Sequence, residues 1–276
     1  MVHHLGMSLT AIGNFLQGNR MQSRFHQEPM VQAAEILLEE IGSAGLIAVY
    51  RRWYTITSNV TETGEEATES RYCLGADPEM PVAHVMANQH YQLLLTSDGE
   101  GFSQCDGFRI NRWRPDSRGG GYGSFIYLRD LNSGQIWSSA YRPTRKEPDS
   151  YQVVFAPDKV EYNRRDGAIN TQTEITVSPQ DNLEVRRVIV SNNAEKPVSI
   201  EVTSYLEAVA DSFMADAAHP AFSRLFIETE YIGARRLLIA HRRKRSPGDP
   251  DRFVLHGIRV KGGLPENVEY EIDRRL

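Results

Sequence analysis

Cysteine is almost absent: Cys73 and Cys105 are the only two in 276 residues. Two thiols are too few for a disulfide framework and fit a reducing, cytoplasmic setting. No Cys/His spacing suggests a zinc site, so no metal is expected, and no motif calls for a cofactor. The glycine triplet Gly119–Gly121 has no lysine after it and no strand-to-helix context, which excludes a nucleotide phosphate loop. Long apolar runs are missing as well. None approaches the ~20 residues that span a bilayer, and no signal-peptide pattern opens the chain. Positive charge is not in excess either. A net charge of −5 argues against a nucleic-acid footprint, and acidic residues balance the basic tracts Arg235-Arg236 and Arg242–Arg245.

What remains is an ordinary globular composition, 40% apolar and 24% charged, enough to bury a core in one large or two modest domains. Residues 1–42 read as helical. Leu9, Ile12 and Leu16 recur at helical spacing, as do Val31, Ala34, Leu38 and Ile41, with Pro29 at a favoured first helical position and Gly42 as a stop. Two such short helices cannot bury both apolar stripes against each other. Residues 43–81 read as a linker with an approach strand around Ile56–Thr63. From Ala83 the period changes to two, with turns about every ten residues, the pattern of an antiparallel sandwich. Ser124–Asp130, Gln135–Arg142, Ile169–Val177, Val185–Val190, Val198–Leu206, Phe222–Tyr231, Leu237–His241 and Phe253–Val260 are the clearest strands. A loop is expected around Asp216–His219.

The richest stretch is Gly107–Arg142, where Arg112, Trp113, Arg114 and Asp116 precede the glycine triplet and Tyr122. Two strand-like segments follow, carrying Tyr127, Arg129, Asp130, Trp137 and Tyr141. Rings that stack on the C–H faces of a pyranose, beside guanidinium forks that suit its hydroxyls, are what a sugar-binding surface needs. The same residues equally suit a strand-rich core with its aromatics buried.

The residues Arg112-Trp113-Arg114, Gly123–Asp130, Ser133-Gly134 and Ile136-Trp137-Ser138, with Asp216–Ser223 and Arg245-Ser246-Pro247 downstream, resemble the N-terminal β-sandwich of glycoside hydrolase family 94. That family holds cellobiose and chitobiose phosphorylases and the phosphorylase-like region of cyclic β-1,2-glucan synthases. His3–Leu9, Arg24-Phe25-His26 and Ala33–Leu38 resemble the tail of the glucoamylase-like domain that precedes this region in the synthases. The resemblance implies a mainly β fold, a galactose-mutarotase-like antiparallel super-sandwich incomplete at its C-terminus, with two N-terminal helices. It implies a helical tail over 1–42, a linker over 43–81 and a truncated sandwich over 82–276. The chain departs from the family pattern at Asn88–Tyr91, Cys105 and Gly120–Gly123, loops that would approach substrate.

In the family the catalytic acid lies in a helical barrel that this chain does not encode, so the resemblance carries no catalytic residue over. Asp106, Asp116 and Asp130 sit in turns beside arginines, where an ion pair would hold each deprotonated. By resemblance, Arg112, Trp113, Arg114, Tyr122, Arg129 and Trp137 are the candidates for glucan contact or for an interface. His219, with Glu228 or Glu230, is the remaining acid–base candidate, after the sugar mutarotases. The expected role is carbohydrate binding within a glucan synthase or phosphorylase-like protein. A sugar epimerase and a purely structural docking module are the alternatives. Expected partners are a glucan or oligosaccharide, a catalytic (α/α) barrel, or a second copy of the chain.

Overall fold

The computed structural model describes residues 2–28, 31, 70–76, 81–114, 122–261 and 268–272. The helix expected from Pro29 to Gly42, the strand around Ile56–Thr63, Asp116 and the Gly119–Gly121 turn lie largely or wholly outside them. The chain divides into two units, Met1–Tyr54 and Thr55–Leu276.

In the first unit, α1 (Val2–Leu16) and α2 (Arg20–His26) are separated by a break that the apolar periodicity does not announce. Gly18 and Asn19 both take left-handed backbone, φ 67° and 60°, a conformation those two residue types tolerate best. The Asn14 side chain holds the break by accepting the Met21 amide at 2.9 Å. Leu9, Ile12 and Leu16 form the expected stripe on α1, and all three are exposed.

The second unit is built from four antiparallel sheets. The first contains, in spatial order, β1 (Arg71–Leu74), β8 (Ser150–Phe155), β9 (Val160–Asp166), β10 (Ile169–Val177) and β11 (Glu184–Asn192). The second contains β13 (Ala208–Asp211), β5 (Phe108–Asn111), β4 (Gly101–Cys105), β3 (Tyr91–Thr96) and β2 (Ala83–Ala87). The third is β12 (Ile200–Leu206), β6 (Ser124–Asp130) and β7 (Ile136–Ser138). The fourth is a meander of β14 (Ile227–Ile232), β15 (Leu237–Arg242) and β16 (Arg252–Gly257). The architecture is the mainly β, antiparallel super-sandwich expected, with β1 joining the first sheet ahead of residue 82.

Period-two burial drives the assembly. Tyr91, Leu93 and Leu95 of β3 turn inward and meet Tyr151, Val153 and Phe155 of β8, Val160 and Tyr162 of β9 and Ile175 of β10. Each large side chain withdrawn from water contributes roughly 1.5–3 kcal/mol before entropy is charged against it. Buried phenols here are satisfied rather than stranded: Tyr151 donates to the Ser97 carbonyl and Tyr162 to the Thr96 carbonyl, both at 2.8 Å, and Tyr91 donates to Glu184 at 3.0 Å. Gly101 is required at the start of β4. Its φ is 157°, and a Cβ there would lie 2.0 Å from the Leu94 carbonyl oxygen. A second cluster, Leu128, Trp137 and Ile169, anchors the third sheet; a third, Ala210, Ala240 and Val254, ties the fourth sheet to β13.

Two local expectations change. The strand read over Gln135–Arg142 stops at Ser138, where the Ser138 hydroxyl donates to the Ala140 carbonyl at 2.8 Å and the chain turns. The loop expected around Asp216–His219 is instead two short helices, α3 (Phe213–Ala218) and α4 (Pro220–Arg224). Ser212 caps α3 by accepting the Ala215 amide at 3.2 Å, and Pro220 opens α4 at its first position.

Candidate functional site

Arg112 follows β5 and is 2% exposed. Its Nε and Nη2 grip the Asp216 carboxylate at 2.9 and 2.6 Å, and its Nη1 pairs with Glu207. Its amide donates to the Glu207 carbonyl at 3.0 Å, and Arg224 reaches the same carboxylate at 2.9 Å. Two of the stretches carrying the resemblance, one around Arg112 and one around Asp216, thus meet in a buried fork-to-carboxylate pair. Trp137 is 2% exposed and packs on Leu128 and Ile169. Both side chains face inward and are committed to internal partners.

Trp113, Arg114 and Tyr122 stand differently. Strand alternation puts positions 109, 111 and 113 on one face, and both Arg109 and Trp113 come to rest on the Phe102 ring of β4. The Arg109 guanidinium carbon is 3.2 Å from the Phe102 ring centre, and the Trp113 ring is 5.4 Å from it. Phe213, from α3, flanks Arg109 at 5.4 Å, and Arg114 lies 6.0 Å over the Tyr122 ring. Trp113 Nε1, Arg114 Nε and Arg109 Nε and Nη1 are buried and have no hydrogen-bond partner among the described residues. Burial lowers the Arg109 pKa, with no carboxylate acting against it. The result is a group of rings and guanidiniums rich in donors and poor in acceptors. Phe102, Arg109 and Phe213 were not singled out in the sequence, although the period of two through Trp113 points to Arg109.

Arg129 lies apart, exposed on β6, with Glu201 of β12 at 3.8 Å. Cross-strand register sets Thr203 opposite Tyr127 and Tyr205 opposite Phe125, giving that face two partly accessible phenols. Burial, and then the neighbouring Tyr205, raise the Tyr127 pKa.

Of the carboxylates considered as acids, Asp130 and Asp106 are engaged, and Asp116 lies outside the described residues. The Ser133 hydroxyl and the Asn132 amide, rather than an arginine, hold the Asp130 carboxyl below its usual range. Asp106 meets His90 Nδ1 at 2.8 Å on the surface. His219 is exposed at the junction of α3 and α4, where its carbonyl accepts the Ser223 amide at 2.9 Å. Glu228 is engaged by Arg243 at 3.4 Å, and no ion pair joins His219 to Glu228 or Glu230 among the described residues.

A cleft of about 510 Å³ opens between β12 and the fourth sheet. Leu206, Ile227, Leu238 and Val254 line it, with Ser204 and His256 as a polar pair 2.8 Å apart. Burial, and then Arg186, lower the His256 pKa, so the ring is neutral at pH 7.

Residues 70–276 match the family described as Glycosyl hydrolase 94, supersandwich domain. Over 99% of its length the chain is 32% identical to the cyclic beta-(1,2)-glucan synthase NdvB of Rhizobium meliloti (strain 1021), of which it covers 10%. It is 24% identical over 56% of its length to the N,N'-diacetylchitobiose phosphorylase of Vibrio furnissii, covering 20% of that protein. It is 22% identical over 42% of its length to the solabiose phosphorylase of Paenibacillus borealis, covering 15%. The chain therefore spans a fifth or less of each of these relatives. A β-sandwich of this topology, matched along three quarters of its length, belongs to the glycosyl hydrolase 94 supersandwich-domain family.

Proposed function

We propose that this chain supplies the saccharide-contacting β-sandwich of a glucan synthase or phosphorylase-like protein and performs no bond-breaking step by itself. The observation that carries the reading is the group formed by Trp113, Arg114 and Tyr122 with Phe102. It offers ring faces for pyranose C–H groups and the Arg114 guanidinium over the Tyr122 ring, the residue types that suit a hydroxyl-rich ligand. Arg112 and Trp137 are buried and serve the scaffold. The ligand class is a glucan or oligosaccharide, in keeping with the names of the relatives. In the whole protein a helical catalytic barrel is the partner that supplies the acid.

Calorimetric titration with linear and cyclic β-1,2-glucan should give weak, saturable binding. Trp113→Ala should weaken it about tenfold or more, the loss of one stacking ring. Silence from a chain shown to be folded would remove the reading. It would leave the docking module, which the exposed Phe253 and Leu255 on the outer face of the fourth sheet favour.

A further inference from the structure

The fourth sheet packs only part of its inner face. In the register row Thr229, Ala240 and Val254, the last two are buried with Ala210 of β13. One row on, Leu238 and its partner His256 stay half-buried, as do Leu206 of β12 and Ile227 of β14. The apolar surface left there lines the cleft of about 510 Å³ between β12 and the fourth sheet. Pockets that hold small molecules span roughly 300–1,000 Å³ and have mostly apolar walls with a few placed polar groups. The charges around this cleft are engaged. Glu207 is held by Arg112 and, at 2.9 Å, by Arg224, and Glu271 accepts the Ile272 amide at 2.7 Å. Burial, and then Arg186, keep the His256 ring neutral at pH 7. Ser204 on one wall and His256 on the other are 2.8 Å apart, and whichever of them donates, the Ser204 oxygen keeps a lone pair for a further hydrogen bond. A ligand hydroxyl, which both donates and accepts, suits either arrangement. A carboxylate or an ammonium would enter an apolar cleft with no unengaged opposite charge among the described residues to meet it.

We propose that this cleft is a binding site for a small uncharged alcohol, its hydrocarbon body against Leu206, Ile227, Leu238 and Val254 and its hydroxyl on Ser204 beside His256. A free sugar, hydroxylated all round, matches these aliphatic walls poorly. The site therefore does not rest on the saccharide reading above, and the two can fail separately.

The test is displacement of N-phenylnaphthylamine, a neutral fluorophore whose emission rises in apolar surroundings, from the intact chain. Octanol should displace it saturably. Octanoate and octylammonium at pH 7 should do so about tenfold more weakly or less, and glucose not at all. Leu238→Trp fills the cleft and should raise the octanol Kd about tenfold or more. Thr229→Phe, at an exposed lining position, should do the same and serves where Leu238→Trp folds poorly. Ser204→Ala removes the hydroxyl contact and should weaken octanol about fivefold, the loss of one hydrogen bond. Ile189→Lys on β11 and Phe253→Ser on the opposite face of the fourth sheet should leave octanol binding unchanged. Absence of octanol binding in a folded chain, equal displacement by octanol and octanoate, or displacement by glucose would overturn the proposal. Binding that survives both filling variants, or that falls with Ile189→Lys or Phe253→Ser, would place the probe on another apolar surface and overturn it as well. So would octanol binding per chain that fades as protein concentration rises, because a second copy of the chain would then occupy the cleft.

Discussion

Single side chains in this sandwich show how one residue type takes opposite roles. Arg112 and Arg109 lie three positions apart, yet one is neutralised by two carboxylates and the other rests on a ring. Glu184 belongs to the satisfied kind: it accepts from Ser103 at 2.5 Å, Arg186 at 2.8 Å and Tyr91 at 3.0 Å. Burial alone would raise its pKa. The Arg186 charge and the three hydrogen bonds outweigh that and hold the carboxyl below the ordinary value of 4.5. A depressed carboxylate stabilises the fold above its unfolded pKa, and that contribution is lost as pH falls through the folded value. Unfolding midpoints in urea should therefore drop on acidification below about pH 4.5. Glu184→Gln should lose about 1–3 kcal/mol at pH 7 and show a shallower acid limb. Parallel acid limbs for the two proteins would show that Glu184 is not the group responsible.

At the scale of elements, the paired strands were the most legible part. Ser124–Asp130 and Ile169–Val177 form with the boundaries expected, because alternation over seven or nine residues is a repeated signal that turns cannot imitate. The short helices α3 and α4 were not legible as periods, since six and five residues complete barely more than a turn. Their caps were present in the sequence: Ser212 ahead of Phe213, and Pro220 where α4 begins. The pairing of Arg112 with Asp216 joins residues 104 apart in sequence, and no local pattern encodes it. The same holds for the site. Trp113, Arg114 and Tyr122 were singled out by resemblance and residue type, whereas the inward turn of Arg112 and Trp137 depends on which sheet covers them. Because α3 presents Asp216 to Arg112, its cap matters beyond its own turn. Ser212→Ala should cost about 1 kcal/mol in denaturant unfolding. The cost should shrink in an Asp216→Asn background, where α3 no longer has a buried charge to position. Strict additivity of the two substitutions would show that the cap and the ion pair are independent.

For the sandwich as a whole, the decisive feature is an uncovered flank. Among the described residues β11 closes the first sheet and β12 closes the third, and neither has a strand beyond it. A bridge between the two sheets, from Arg186 Nη1 on β11 to the Ser124 carbonyl on β6 at 2.5 Å, is made by a side chain rather than by a backbone ladder. β11 is nine residues long, and Val185 and Ile189 are exposed on it. A long edge with free N–H and C=O groups is a template for another strand, whether from a partner domain or from a second copy. On the same face as those two apolar side chains Arg187 lies between them, and it is engaged by Glu174 across the ladder to β10. The isolated chain should therefore associate with rising concentration in sedimentation velocity. Ile189→Lys places a charge on the outward face, opposite Gln172, without touching the core. It should suppress that association while leaving the unfolding midpoint within about 0.5 kcal/mol of the parent. Association that persists unchanged in Ile189→Lys would move the contact to another surface, and the exposed Phe253 and Leu255 on β16 would be the next to test.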